Sequence, residues 1–107
     1  MDEATKYVKG PNDVLDYILD LTLFLGDDTV ITASAVEAVG VVVDSVDVNP
    51  IPLNLNNEIP VDTGKAVIVW LSGGNAGSHG KVVIRVNTQG GRQKDIAYPV
   101  TVTNNYR

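Results

Sequence analysis

A chain of 107 residues is one domain's worth, enough for a single hydrophobic core and too short for two. It is 44% apolar and 20% charged, on the folded side of the disorder boundary, and without cysteine it has no disulfide, thiolate nucleophile or Cys-based zinc site. Eighteen Val, seven Ile and eight Thr against seven Ala and one Met disfavour helix and suit strands, while ten Gly and five Pro promise many turns.

The net charge of −5 conceals an asymmetry. Residues 1–62 carry twelve of the thirteen acids with only Lys6 and Lys9, a sum of −10, whereas residues 63–107 set Asp95 against six Lys and Arg, a sum of +5. Strands of a sandwich interleave, so this segregation need not survive in space; where it does, opposite faces favour head-to-tail contact with copies or neighbours. Dispersed cations, few aromatics and an overall charge that repels phosphate argue against nucleic acid as a partner. The opening Met1-Asp2-Glu3 has the wrong sign for a signal peptide, so the mature chain is expected to begin here. The longest apolar stretch, residues 38–43, is far short of the roughly 20 residues of a membrane-spanning helix, and no membrane partner is expected.

Residues 1–14 mix charge with Gly10 and Pro11 and lack apolar periodicity, which reads as an extended arm that ties down on another surface. Residues 15–107 read as a single β-sandwich domain. From Leu15 the odd positions Leu15, Tyr17, Leu19, Leu21, Leu23 and Leu25 are apolar, a period of two. The same run fits a helix capped by Asn12 with Gly26 just past its end. The uniformly β remainder favours a strand to about residue 20 and a short helical turn before Gly26.

Residues 29–38 form a less regular strand interrupted near Ser34. Val41, Val43, Val46 and Val48 mark another, with Asp44 and Asp47 suiting a bulge. Pro50 and Pro52 end it, and residues 53–57 read as a short edge strand closed by Pro60. In residues 65–72, Ala66, Ile68 and Trp70 take one face and Val67, Val69 and Leu71 the other, so this strand is expected to be central and covered on both sides. Residues 73–80 and 89–92 read as hairpin turns flanking a strand over 81–88, and a last strand runs from Gln93 to Thr103. These make about seven antiparallel strands at turn spacings of about ten residues, an all-β, Ig-like or fibronectin-like sandwich. Val82, Ile84 and Val86 are expected to pack with Ile96, Tyr98, Val100 and Val102. Tyr17, Trp70, Ile84 and Val100 are the expected core anchors, and Trp70→Ala should cost about 3–5 kcal/mol.

Reactive chemistry is sparse. His79, the sole imidazole, stands in a Gly/Ser/Asn loop without a Gly-x-Ser-x-Gly nucleophile turn nearby, which reads as solvated loop rather than catalysis. Residues 74–81 fail as a phosphate-binding loop, because Gly80-Lys81 is followed by Val82 and a strand pattern rather than Ser/Thr and a helix. Asp27-Asp28 and Asp44 with Asp47 are not spaced as a calcium loop. No catalytic residue, metal or cofactor is expected, and no small-molecule substrate. Asp13, Asp16 and Asp20 form a polar face that is either solvated or an interface for basic partners. Lys6, Tyr7 and Lys9 on the arm, and Arg92 and Lys94 at the last hairpin, complete the candidate interface residues. A further alternative is a carbohydrate- or ligand-binding module with Tyr7, Tyr98 and Tyr106 lining a shallow site.

The order Lys9-Gly10-Pro11, Leu15-Asp16-Tyr17 with Asp20, Phe24-Leu25 before Asp28-Thr29, then Trp70-Leu71-Ser72-Gly73-Gly74-Asn75-Ala76-Gly77 and the Gly91-Arg92 turn resembles the fibre-tail adaptor proteins, small Ig-like virion proteins of tailed bacteriophages. The likeness spans about residues 8–103. Aromatics are common in that family at the positions of Leu21 and Phe24, of which Leu21 departs from the pattern, as do Gln93 and Lys94-Asp95 after the Gly-Arg turn. The resemblance implies a non-enzymatic virion protein of the tail or baseplate that helps hold a fibre or spike. Its partners would be other virion proteins of tail, baseplate, fibre or capsid, met in multiple copies in a symmetric assembly. A head decoration protein that clamps capsid subunits with its arm is the runner-up.

Overall fold

Alternation of β-branched with polar residues builds two sheets that bury one face each against the other. In the computed structural model, which describes residues 7–10, 12–54 and 60–103, the elements run β1 Tyr7–Lys9, β2 Leu15–Asp20, α1 Thr22–Leu25, β3 Val30–Val39, β4 Val42–Val48, β5 Ala66–Ser72, β6 His79–Thr88 and β7 Gln93–Val102. One sheet has the order β1-β7-β6-β3 and the other β2-β5-β4. This is the partition of the immunoglobulin fold, with its C, F and G strands in one sheet and B, E and D in the other.

The period-two run from Leu15 ends at Asp20, and α1 follows as a single turn closed by Gly26 at φ +59°. The Asp44 irregularity is present as a register shift between Val43 and Ser45. Two similar shifts break β3, after Val30 and after Ala35, and leave Ile31 and Val36 exposed on its edge. Leu53 and Val61 form an isolated antiparallel bridge, and the remainder of the expected 53–57 strand beyond Asn54 lies outside the described residues.

Four expectations need correction. Tyr7–Lys9, assigned to an extended arm outside the sandwich, is a strand of the four-stranded sheet, paired with β7 through Tyr7↔Val100, Val8↔Thr101 and Lys9↔Val102. A three-residue segment has too little periodicity to announce itself, and its pairing is supplied by a strand some ninety positions away. That pairing is parallel, so the strands are not all antiparallel. The glycine-rich stretch 73–78 is not a hairpin, because β5 and β6 lie in different sheets; it carries the chain across the sandwich. Trp70 is not a core residue. It points away from the sandwich and is 38% exposed, since a two-layer fold leaves the outer face of its central strand without a covering layer.

The core lies between the sheets: Val67, Val69 and Leu71 of β5 are fully buried against Val82, Ile84 and Val86 of β6 and Val100 and Val102 of β7. Leu21 and Leu25, either end of the helical turn, plug one end of it. Tyr17 is half-buried against this cluster, and burial, followed by the nearby Asp13 charge, raises its phenol above the ordinary value. At the β3–β4 corner Gly40 adopts φ +77°, and the backbone passes so close to Gly80 that a Cβ there would stand 2.6 Å from the Val39 carbonyl oxygen. Buried Asn49 organises the β4–β5 connection: its Nδ2 donates to the carbonyls of Ile51 and Asp62, both at 2.9 Å, and its Oδ1 accepts from the amides of Gly64 and Ala66, both at 3.0 Å.

Candidate protein-interaction surface

Strand β5 inserts Val67, Val69 and Leu71 inward, and the pleat therefore turns Ile68, Trp70 and Ser72 outward. The register sets their neighbours: Ile18 and Asp47 flank Ile68, Asp16 and Ser45 flank Trp70, and Val42 lies beside Ser72. The bulge releases Asp44, whose Oδ1 accepts a hydrogen bond from the Ser72 hydroxyl at 3.1 Å. An apolar centre of Ile18, Ile68 and Trp70, extended by Val42 at 54% exposure, is thus framed by Asp16, Asp20, Asp44 and Asp47. Asp20 Oδ1 accepts from the Thr22 amide and hydroxyl at 3.0 and 2.6 Å. Among the described residues, none of these four aspartates has an ion-pair partner.

The charge asymmetry of the sequence survives as an asymmetry between sheets. Strands β2, β4 and β5 hold four Asp and no Lys or Arg, net −4, whereas β1, β3, β6 and β7 hold Glu37 and Asp95 against Lys9, Lys81, Arg85 and Lys94, net +2. On the outer face of the four-stranded sheet the charges are paired. Arg85 meets Asp95 in a two-pronged contact at 2.8 and 3.0 Å, which lowers the Asp95 carboxyl and raises the guanidinium, and Lys81 lies 3.5 Å from Glu37.

The residues read from the sequence as interface candidates are divided between this face and other parts of the fold. Asp16 and Asp20 belong to the acidic frame. Lys6 and the side chain of Tyr7 lie outside the described residues. Lys9 is corrected: it is 1% exposed and donates from Nζ to the carbonyls of Gly10 and Gly73, each at 2.5 Å, so it clamps β1 to the crossover loop. A long aliphatic stem on an edge residue can thread into the fold while its ammonium finds backbone oxygens, which sequence alone does not reveal. Asp13 accepts from the Gly10 amide at 2.8 Å and closes a turn.

Arg92 is likewise turned onto its own chain. Its Nε lies 3.1 Å from Asp28 Oδ2, its two terminal nitrogens donate to the carbonyls of Phe24 and Leu25 at 3.3 and 3.1 Å, and the guanidinium sits 4.5 Å from the Phe24 ring centre. Lys94 Nζ lies over the other part of this assembly, 5.5 Å from the same ring centre. The Thr88 hydroxyl, the Gly90 and Thr29 amides and Arg92 together hold the Asp28 carboxyl down at about 2.

Trp70, Ile18, Ile68, Asp44 and Asp47 are the surface residues that the sequence reading did not select. The signal lay in phase: Asp16 and Asp20 share the even-numbered set with Ile18, but only the β2–β5 register places that set beside Trp70. His79 opens β6 as an exposed residue opposite Thr101. Among the described residues there is no group of three or more His, Cys, Asp or Glu side chains placed to hold a metal ion.

A family model described as podophage GP4 fiber-tail adaptor protein gp77 matches residues 9–101. No curated protein matches the chain. Among solved structures, the solution structure of amebosin is similar with a TM-score of 0.52 at 14% identity, covering 92% of this chain and 89% of that one, a likeness of fold alone.

Proposed function

The chain belongs to the podophage GP4 fibre-tail adaptor family, and from that premise we propose that it is a non-enzymatic virion protein that joins a fibre or spike to the tail through protein contacts. The observation that carries this reading is the family match over residues 9–101, nearly the whole described sandwich. The architecture supports it. A two-layer core presents one acidic and apolar face whose aspartates have no ion-pair partner among the described residues, and Lys9 clamps the first strand to the body. Its partners are other virion proteins, and its copies follow the rotational symmetry of the tail.

The test is position on the assembled particle. Cryo-EM of intact virions, with the chain identified by its sandwich density and by an added tag, is expected to find ring-related copies at the fibre attachment level of the tail. Copies confined to the capsid shell would overturn the reading.

A further inference from the structure

Resting on the adaptor reading, we propose that the outer face of the three-stranded sheet is the docking surface for a different virion protein, through a segment that presents arginine beside aliphatic side chains. The face has an exposed indole and branched aliphatic residues at its centre, the apolar part of an interface core. Its frame of four aspartates, without ion-pair partners among the described residues, is complementary to an occupant that brings cations.

The described residues of a second copy of this chain are a poor source of them. All six described Lys and Arg side chains are engaged within their own molecule: Lys9 with Gly10 and Gly73, Lys65 with the Gly26 carbonyl, Lys81 with Glu37, Arg85 with Asp95, Arg92 with Asp28, and Lys94 over Phe24. The face of net −4 equally repels nucleic acid and anionic lipid. Among the described residues this leaves another protein as the source of the cation.

Register selects arginine over lysine. Asp16 stands directly across from Trp70, and such cross-strand neighbours have Cβ atoms about 4.5–5.5 Å apart. A planar guanidinium lying on the indole can at the same time offer two parallel N–H groups to the neighbouring carboxylate, whereas an ammonium makes a point contact with one or the other. Aliphatic neighbours of that arginine then cover Ile18 and Ile68.

The test uses whole particles in which a photo-crosslinking phenylalanine analogue replaces Ser45, beside Trp70, or Ala97 on the opposite sheet. Position 45 is expected to crosslink to one other virion protein at an arginine-bearing peptide, and position 97 is not. In parallel, Asp16→Asn with Asp47→Asn, at exposed positions where melting is expected to be unchanged and is measured as the control, is expected to reduce copies per particle by about tenfold or more. Crosslinks from position 45 only to a second copy of the chain, or none at all while the chain is present on the tail, would overturn the docking proposal. Full retention of the double variant would also overturn it. A chain found on the capsid, with position 45 still joined to an arginine-bearing peptide, would sink the adaptor reading and leave the docking surface standing.

Discussion

Arg92 and Asp28 stand 64 positions apart in sequence and 3.1 Å apart in space, so that the β6–β7 hairpin is pinned to the loop following α1. The carboxylate is the hub of this arrangement: besides Arg92 it accepts from the amides of Gly90 and Thr29 at 2.8 and 2.9 Å. The guanidinium in turn satisfies carbonyls at the end of a one-turn helix that has no basic residue of its own in its last turn.

Acid should act on this hub. The Asp28 carboxyl sits at about 2 in the folded protein against an ordinary 3.8, chiefly through the Thr88 hydroxyl, so the unfolded chain takes up the proton first as pH falls. Its stabilising contribution is complete above the ordinary value and is lost as pH drops from about 4 toward 2. Asp28→Asn is expected to flatten the acid limb of the stability curve in that window, measured by urea unfolding at successive pH values. An unchanged acid limb would show that Asp28 is not the linked group.

Removing Asn49 should be among the most damaging single changes in the connection between β4 and β5. Asn49→Ala removes the side-chain partner of the buried Ala66 amide and of the Ile51 carbonyl, while the Gly64 amide keeps the Asn49 carbonyl and the Asp62 carbonyl keeps the Lys65 amide. One buried amide left unpaired, together with the lost side-chain bonds across the connection, gives an expected loss of about 1–3 kcal/mol in denaturant unfolding.

Trp70→Ala is expected to cost about 1–2 kcal/mol, less than the roughly 3–5 of a fully buried aromatic, because a large part of the indole is already in water. Its fluorescence should be quenched by acrylamide in the isolated folded protein. A blue-shifted, unquenched emission would put the side chain back in the core.

Gly80→Ala tests the corner between the sheets. The added methyl would meet the Val39 carbonyl oxygen at 2.6 Å, a backbone atom that cannot swing aside as a side chain does. The expected loss is about 1–3 kcal/mol in chemical denaturation.

Lys9→Met retains the stem and removes the ammonium that holds Gly10 and Gly73. The first strand is then expected to exchange its amide hydrogens faster, together with Thr103, whose amide donates to the Lys9 carbonyl, while the β5 and β6 amides keep their protection.

How far the sequence carries can be judged from particular residues. The strand ending at Asp20 and the turn before Gly26 were legible because period-two alternation and a closing glycine are local signals. The Asp44 bulge was legible for the same reason, as a polar residue out of phase with its valines. The membership of Trp70 was not. Alternation separates the two faces of β5 and is silent on which of them meets the other sheet. The same holds for residues 73–78, whose glycines announce a reversal without saying whether the chain returns in its own sheet or crosses to the other.

The residue pattern alone determined an all-β chain, the positions of most of its strands, and an imbalance of charge along its length, since each of these depends on neighbours within a few positions or on composition. Only tertiary structure decided that Lys9 is a buried clamp, that Arg92 staples the last hairpin to Asp28, and that Trp70 stands outward among aspartates. Those outcomes depend on register and on the choice between two sheets. Both are set by long-range pairing energies that no local stretch of sequence contains.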